Sequence, residues 1–199
     1  MLEPEELRAQ LDLGEFPVEF TSSRNISPGQ LIPVVTDPVS RKVELFRWGL
    51  VPGWAKDSKI GYKMFNARAE TLSEKPSFRV PFLRRRCLIP ADGFYEWKLE
   101  DGRKYPFLFT LSDRKAFTFA GLWESWRDPA GNELRSCTLI TTEPNELIGQ
   151  YHDRMPVILD EKTRWKWLIE TNVEQLKSLL VPYDANNMDD PLKIEKIAS

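Results

Sequence analysis

Seven strand-like runs crowd the stretch from residue 30 to residue 142, and this crowding most constrains the fold. They are "QLIPVV" (30–35), "VELFRW" (43–48), "RCLIPA" (86–91), "GFYEWKL" (93–99), "YPFLFTL" (105–111), "AFTFAGLW" (116–123) and "SCTLITT" (136–142). Each is rich in β-branched or aromatic residues. The turns between them are polar or Gly/Pro-rich, "TDPVSR", "EDGRK", "SDRK" and "RDPAGNE", and "LEDGRKYP" reads as a hairpin connection. Helical signals lie outside this block. "PEELRAQLDL" (4–13) opens with Pro4 and acids and spaces Leu7 and Leu11 four apart. Thr142 can cap "TEPNELIGQY", Asp160 can cap "EKTRWKWLIE", and Asn172 can cap "VEQLKSLL" before Pro182. Strands grouped first and helices later, without strict alternation, predict an α+β fold with a largely antiparallel sheet.

A chain of 199 residues fits one domain and can bury a full core without staples. Residues 1–199 are therefore expected to form a single domain, with about 184–199 a loosely held tail. The formal net charge of -2 excludes a wholesale polyanion binder, but it is unevenly spread. Residues 1–20 carry six acids against Arg8, whereas residues 57–104 carry eleven Lys/Arg against seven Asp/Glu. A nucleic-acid contact would thus be a local groove in the middle of the chain. Cys87 and Cys137 stand alone in apolar runs, which disfavours metal ligation and disulfides. The start "MLEPEELRAQ" is unlike a secretory signal, and no apolar run approaches membrane length. These features suggest a soluble protein of a reducing compartment.

Five segments put polar residues where a plain sheet protein would not. They are "RNISPG" (24–29), "RWGLVPGW" (47–54), "FNARAET" (65–71), "ADGFYEWK" (91–98) and "YHDRMPV" (151–157). Each also has a bland reading. Pro28-Gly29 and Pro52-Gly53 suit ordinary turns, and tryptophans such as Trp48 and Trp54 commonly fill cores. Asn66 and Arg68 suit a turn and a surface charge. Strand alternation puts Phe94, Glu96 and Lys98 on one face of "GFYEWK", where a glutamate beside a phenylalanine implies a solvated face or a site. His152 is the one histidine of the chain. It could pair with Asp153 in a turn or serve acid/base chemistry.

Taken in order over about residues 4–160, these segments resemble the SRAP family, the SOS-response-associated peptidases, whose members recognise abasic sites in single-stranded DNA. "NARAET", "CLIPADGFYEWK", "HDRMPV", "WGLVPGW" and the Asn-x-x-Pro-Gly of "RNISPG" carry the resemblance. It implies a curved sheet or distorted open barrel with a few peripheral helices. It implies a cytoplasmic protein of a bacterial cytosol or nucleoid, a monomer without cofactor or metal, acting on abasic single-stranded DNA. In such proteins an N-terminal cysteine, exposed by autoproteolytic loss of the initiator methionine, condenses with the abasic aldehyde and closes a thiazolidine ring. By the resemblance Glu96 is the acid/base beside the amine, His152 the proton donor to the sugar ring oxygen, and Asn66 the orienting group. Arg68 is the implied phosphate clamp, Trp54 and Trp97 the stacking surfaces, and Pro28 the wedge at the kinked strand. Lys75 and Thr142 are implied DNA contacts, with Arg84 to Arg86 as further candidates for the backbone.

The family's opening Met-Cys-Gly-Arg is missing from "MLEPEELR". Neither Cys87 nor Cys137 can replace an N-terminal cysteine, because neither has a free α-amine. The expectation is a shortened form of a cross-linking protein, inactive in cross-linking as it stands. Two alternatives stay open at this stage: a non-covalent module for single-stranded or damaged DNA, and a small-molecule hydrolase using Glu96 and His152.

Overall fold

The computed structural model describes residues 2–112 and 115–194. The turn expected at "SDRK" includes Asp113 and Arg114, and the expected tail includes residues 195–199; these lie outside the described residues.

Helix α1 (Pro4–Leu11) forms where predicted, with Leu7 and Leu11 buried and the Glu6 carboxylate accepting the Glu3 N–H. The first two runs become β1 (Leu31–Val35) and β2 (Val43–Trp48), paired antiparallel. "NAR", whose plain reading was a turn at Asn66 and a surface charge at Arg68, is the short strand β3 (Asn66–Arg68), lying parallel to a later strand. A second unexpected element is helix α2 (Arg79–Arg84), which buries Pro81 and Phe82. After it come β4 (Arg86–Ala91), β5 (Phe94–Glu100), β6 (Arg103–Phe109), β7 (Phe117–Arg127) and β8 (Glu133–Thr142). The β5–β6 turn uses Asp101 (φ 49°) and Gly102 (φ 76°), the left-handed pair that a tight hairpin requires.

The helix expected after Thr142 does not form. Asn145 caps a turn by accepting the Ile148 N–H, and a 3-10 turn at Ile148–Gln150 follows. Strand β9 (Met155–Pro156) follows that turn. After β10 (Ile158–Leu159), Asp160 accepts the Lys162 and Thr163 N–H groups, so helix α3 (Arg164–Ile169) starts after that turn. Asn172 caps α4 (Val173–Ser178) as expected, accepting from Glu174 and Gln175. Residues 184–194 are not a loose tail. Met188 is buried and bridges Leu111, and β11 (Leu192–Lys193) pairs with β6, whose edge would otherwise be open.

The large sheet runs β10–β7–β4–β1–β2–β8–β3, with β9 added on β8. β7 also pairs with β8, so the sheet curls back on itself. The curl is splayed, because β1 meets β4 at a single register pair and β2 meets β8 at two. This is a mixed α+β domain built on a curved, largely antiparallel sheet. Strands β5, β6 and β11 form a separate small sheet. One apolar cluster, with Trp167 at 0% exposure, lies between the large sheet and the helices. Another, around Phe46, Phe109 and Phe117, joins the two sheets. Among the described residues no helix is long and apolar enough to cross a membrane.

Candidate functional site

Strand β8 gathers the site. On one side it takes β3 in parallel, Asn66 opposite Leu139 and Arg68 opposite Thr141. At the same end it takes β9 antiparallel, with Thr141 opposite Pro156. Two motifs that are distant in sequence therefore meet at Thr141. In β3 only Ala67 is buried, and strand alternation turns Asn66 and Arg68 outward. Trp48 holds the approach to β3, its indole N–H donating to the Phe65 carbonyl at 2.8 Å.

The meeting is locked by an ion pair. Arg154 Nη1 and Nη2 donate to Glu70 Oε1 and Oε2 at 2.8 and 2.9 Å, and Nη2 also donates to the Thr141 carbonyl at 2.7 Å. Such a two-pronged geometry fixes the partners' relative orientation. The guanidinium holds the Glu70 carboxyl below its usual range. Neither residue was singled out from the sequence, although both lie within motifs that were.

Arg154 also reaches the histidine through its backbone. His152 Nδ1 lies 3.1 Å from both the Arg154 N–H and the Arg154 C=O. A neutral ring can accept from the first and a protonated ring can donate to the second, so the turn has a partner for either state. This backbone contact is shorter than the 3.4 Å separation from exposed Asp153, which the sequence reading offered first as the partner.

Glu96 comes from the other sheet. Its Oε2 is 4.0 Å from His152 Nδ1, with 18% of the glutamate side chain exposed. Burial pushes its carboxyl up to about 7, opposed by His152 and reinforced by Asp153. Its neighbours show why it is buried. Phe94 packs its ring on Phe109 at 5.4 Å, while Lys98 Nζ lies 4.7 Å over the Tyr151 ring. Tyr151 in turn meets Phe107 and Phe109 edge-on, so an aromatic joint holds the histidine turn against the β5–β6 hairpin. Lys98 and Tyr151 flank Glu96 and His152; the sequence put Lys98 on the face of Glu96 and Tyr151 at the start of the histidine segment, but singled out neither as a site residue.

The remaining candidates divide. Trp54 (61% exposed) and Trp97 (46%) present large open faces, and Lys75 is exposed. Pro28 sits half-exposed in a loop where the Gly29 N–H donates to the Trp48 carbonyl at 2.6 Å. Thr142, expected to contact DNA, is instead buried at 4% exposure with its hydroxyl donating to the Leu180 carbonyl. Of the basic run only Arg84 is fully exposed, and Arg85 pairs with Glu124 at 2.7 Å. Arg86 is buried and gives its donors to the carbonyls of Phe82, Leu83, Trp167, Leu168 and Glu170. It closes the ends of α2 and α3, so it is not available to a backbone phosphate.

The family model described as SOS response associated peptidase (SRAP) matches residues 1–195. The chain belongs to the SRAP family. It is 52% identical over 175 residues to the "Abasic site processing protein YoqW" of Bacillus subtilis, covering 86% of this chain and 78% of that one. Against the "Abasic site processing protein HMCES" of Xenopus tropicalis the identity is 33%, over 75% of this chain and 54% of the relative. Among solved structures, a Bordetella bronchiseptica protein superposes with a TM-score of 0.83 at 27% identity, covering 98% of this chain and 96% of that one. A Bacteroides thetaiotaomicron protein gives 0.79 at 35% identity, covering 84% and 75%.

Proposed function

We propose that this chain senses abasic sites in single-stranded DNA, acting as a monomer in the bacterial cytosol or nucleoid. The observation that carries the reading is the 4.0 Å pairing of His152 with a Glu96 carboxyl raised to about 7. An acid/base group works best when its pKa lies near the operating pH. Abasic deoxyribose is a ring-closed hemiacetal in equilibrium with an aldehyde. Opening breaks the C1′–O4′ bond: Glu96 takes the C1′ hydroxyl proton while His152 delivers one to O4′. The exposed Asn66 orients the sugar, Arg68 neutralises a phosphate, and Trp54 and Trp97 offer stacking faces, each worth about 1–3 kcal/mol when a base is stacked. Pro28 is the wedge at which the strand turns. The names of the relatives, abasic site processing proteins, support the same substrate.

In a form bearing an N-terminal cysteine, the α-amine would add to the aldehyde and lose water to give an imine. The thiol would then add across the C=N bond, closing a thiazolidine with no change of oxidation state. Autoproteolytic removal of the preceding methionine belongs to the same proposal. Cys87 and Cys137 are buried within β4 and β8, and burial pushes both thiols up, which leaves them no such role. That burial favours non-covalent shielding of the lesion by a form lacking the terminal cysteine.

The test compares abasic and intact single-stranded DNA. The chain is expected to prefer the abasic strand, and equal affinity for both would overturn the reading. A version led by Met-Cys-Gly-Arg is expected to give a heat-stable band on a denaturing gel. His152→Gln in that version is expected to slow the band's appearance by about 10²-fold while leaving the thermal transition in place. An unslowed variant would return His152 to a structural role.

A further inference from the structure

The 3-10 segment Ser58–Lys63 lies just before Asn66 and carries charge that the acid/base site does not use. Asp57 caps it, accepting the Lys59 N–H at 2.9 Å, so the one acid of the segment is engaged in the turn. Lys59 and Lys63 are exposed, and no carboxylate partners them among the described residues. The segment is firmly seated. Gly61 is buried against Gly49 so closely that a Cβ on either would stand 2.5–2.6 Å from the other's carbonyl oxygen. The Met64 carbonyl accepts the Leu50 N–H at 3.0 Å and ties the segment's end to the irregular stretch just after β2.

Tyr62 projects from this seat towards the Pro28 loop. A Cβ on Gly29 would lie 2.9 Å from Tyr62 Cε1, so the ring is in direct contact with the residue after the wedge. The Arg47 guanidinium lies over the same ring, 4.7 Å from its centre, and it too has no carboxylate partner among the described residues. Arg47 and Tyr62 thus adjoin the wedge loop, and Lys59 and Lys63 stand on the same firmly seated segment as Tyr62. The chain continues from them directly into Asn66 and Arg68.

We propose that Lys59, Lys63 and Arg47 form a second phosphate subsite, carrying the nucleic-acid strand on the Pro28 side of the cleft. The proposal rests on the single-strand reading above and extends it in space. Cations without a carboxylate partner gain most from a polyanion, because binding releases condensed counterions and replaces no internal ion pair. Tyr62 serves as a buttress: with Gly29 and Arg47 against its ring, it holds the wedge loop at a set distance from the two lysines. A strand bent at the lesion would then be gripped on one side by Arg68 and on the other by this subsite.

The experiment measures fluorescence anisotropy over a salt series with single strands carrying one tetrahydrofuran abasic analogue. One oligonucleotide extends on both sides of the lesion, and two others extend on one side only. For Lys59→Ala/Lys63→Ala, the slope of log affinity against log salt is expected to fall by about 1.4 on the two-sided strand, at about 0.7 per single-strand phosphate. The same loss is expected on one of the one-sided strands and not on the other. Arg68→Ala serves as the control. If it lowers the slope and the double lysine variant does not, the subsite is overturned and the abasic-site reading stands. Equal loss on both one-sided strands would also overturn it, since a diffuse field would then explain the lysines. Wild-type protein with no salt-dependent affinity would overturn both. Both lysines are exposed, so an unchanged thermal transition verifies that the variant is folded.

Discussion

A carboxyl raised to about 7 is a cost to the fold as well as a tool. Below the usual glutamate range Glu96 is protonated whether the chain is folded or not. Between that range and about 7 the folded protein holds a proton that the unfolded chain has released. The associated stability is therefore fully present at acid pH and is lost as pH rises through 7. Glu96→Gln removes this dependence because the amide never ionises. Its melting temperature is expected to match wild type near pH 4.5, to exceed it increasingly up to about pH 7 and to keep a constant excess from there to pH 8, by on the order of 2–4 °C for each kcal/mol. Calorimetry at several pH values checks this, and parallel curves would mean that water reaches the carboxylate after all. His152 lies 4.0 Å away and favours the charged form, which limits the size of the gap.

At the scale of elements, the sequence was legible where the chain's own pattern decides the outcome. β1, β2 and β4 formed over nearly the expected residues because their apolar character and turn residues are local. β3 was illegible because three residues become a strand only when β8 offers an edge. Helix α2 was hidden for a similar reason: Pro81 lies within it and little in "RVPFLR" announces it. Its end is secured from outside, by Arg86 reaching back to the Phe82 and Leu83 carbonyls. The candidate site followed the same division. Glu96 and His152 could be named from their motifs, whereas the Glu70–Arg154 tie and the burial of Thr142 depend on how β8 and β9 pair. Arg86 gives a direct measure of such long-range support. Arg86→Met keeps much of the apolar stem and strands five carbonyls, so a loss of about 3–5 kcal/mol is expected in denaturant unfolding. A loss under about 1 kcal/mol would show that water can replace the guanidinium at both helix ends.

Across the whole molecule, Glu96 and His152 are held by different sheets. His152 hangs from the large sheet through β8 and β9, while Glu96 rides on the β5–β6 hairpin of the small one. Their separation is set by whatever holds the hairpin against the curl, and much of that comes from late in the chain. β11 adds Leu192 and Lys193 beside Leu108 and Phe107, and the Ile194 N–H donates to the Pro106 carbonyl at 2.9 Å. Lys193 reaches Glu100 at 2.5 Å and lies 3.8 Å over the Tyr105 ring, tying β11 to the two strands of the hairpin. A two-stranded hairpin alone is marginal in water, and a third strand changes that. Deleting the chain from Pro191 onward is therefore expected to leave β7 and β8 protected while the amides of Lys104–Phe109 exchange faster with solvent. Affinity for abasic single-stranded DNA should drop several-fold in the same variant, because Glu96 and Trp97 lose their fixed distance from His152. Hydrogen exchange read by mass spectrometry separates the outcomes. Unchanged protection in β6 would mean that the aromatic joint of Tyr151 with Phe107 and Phe109 holds the hairpin by itself, and that the last strand is dispensable to the site.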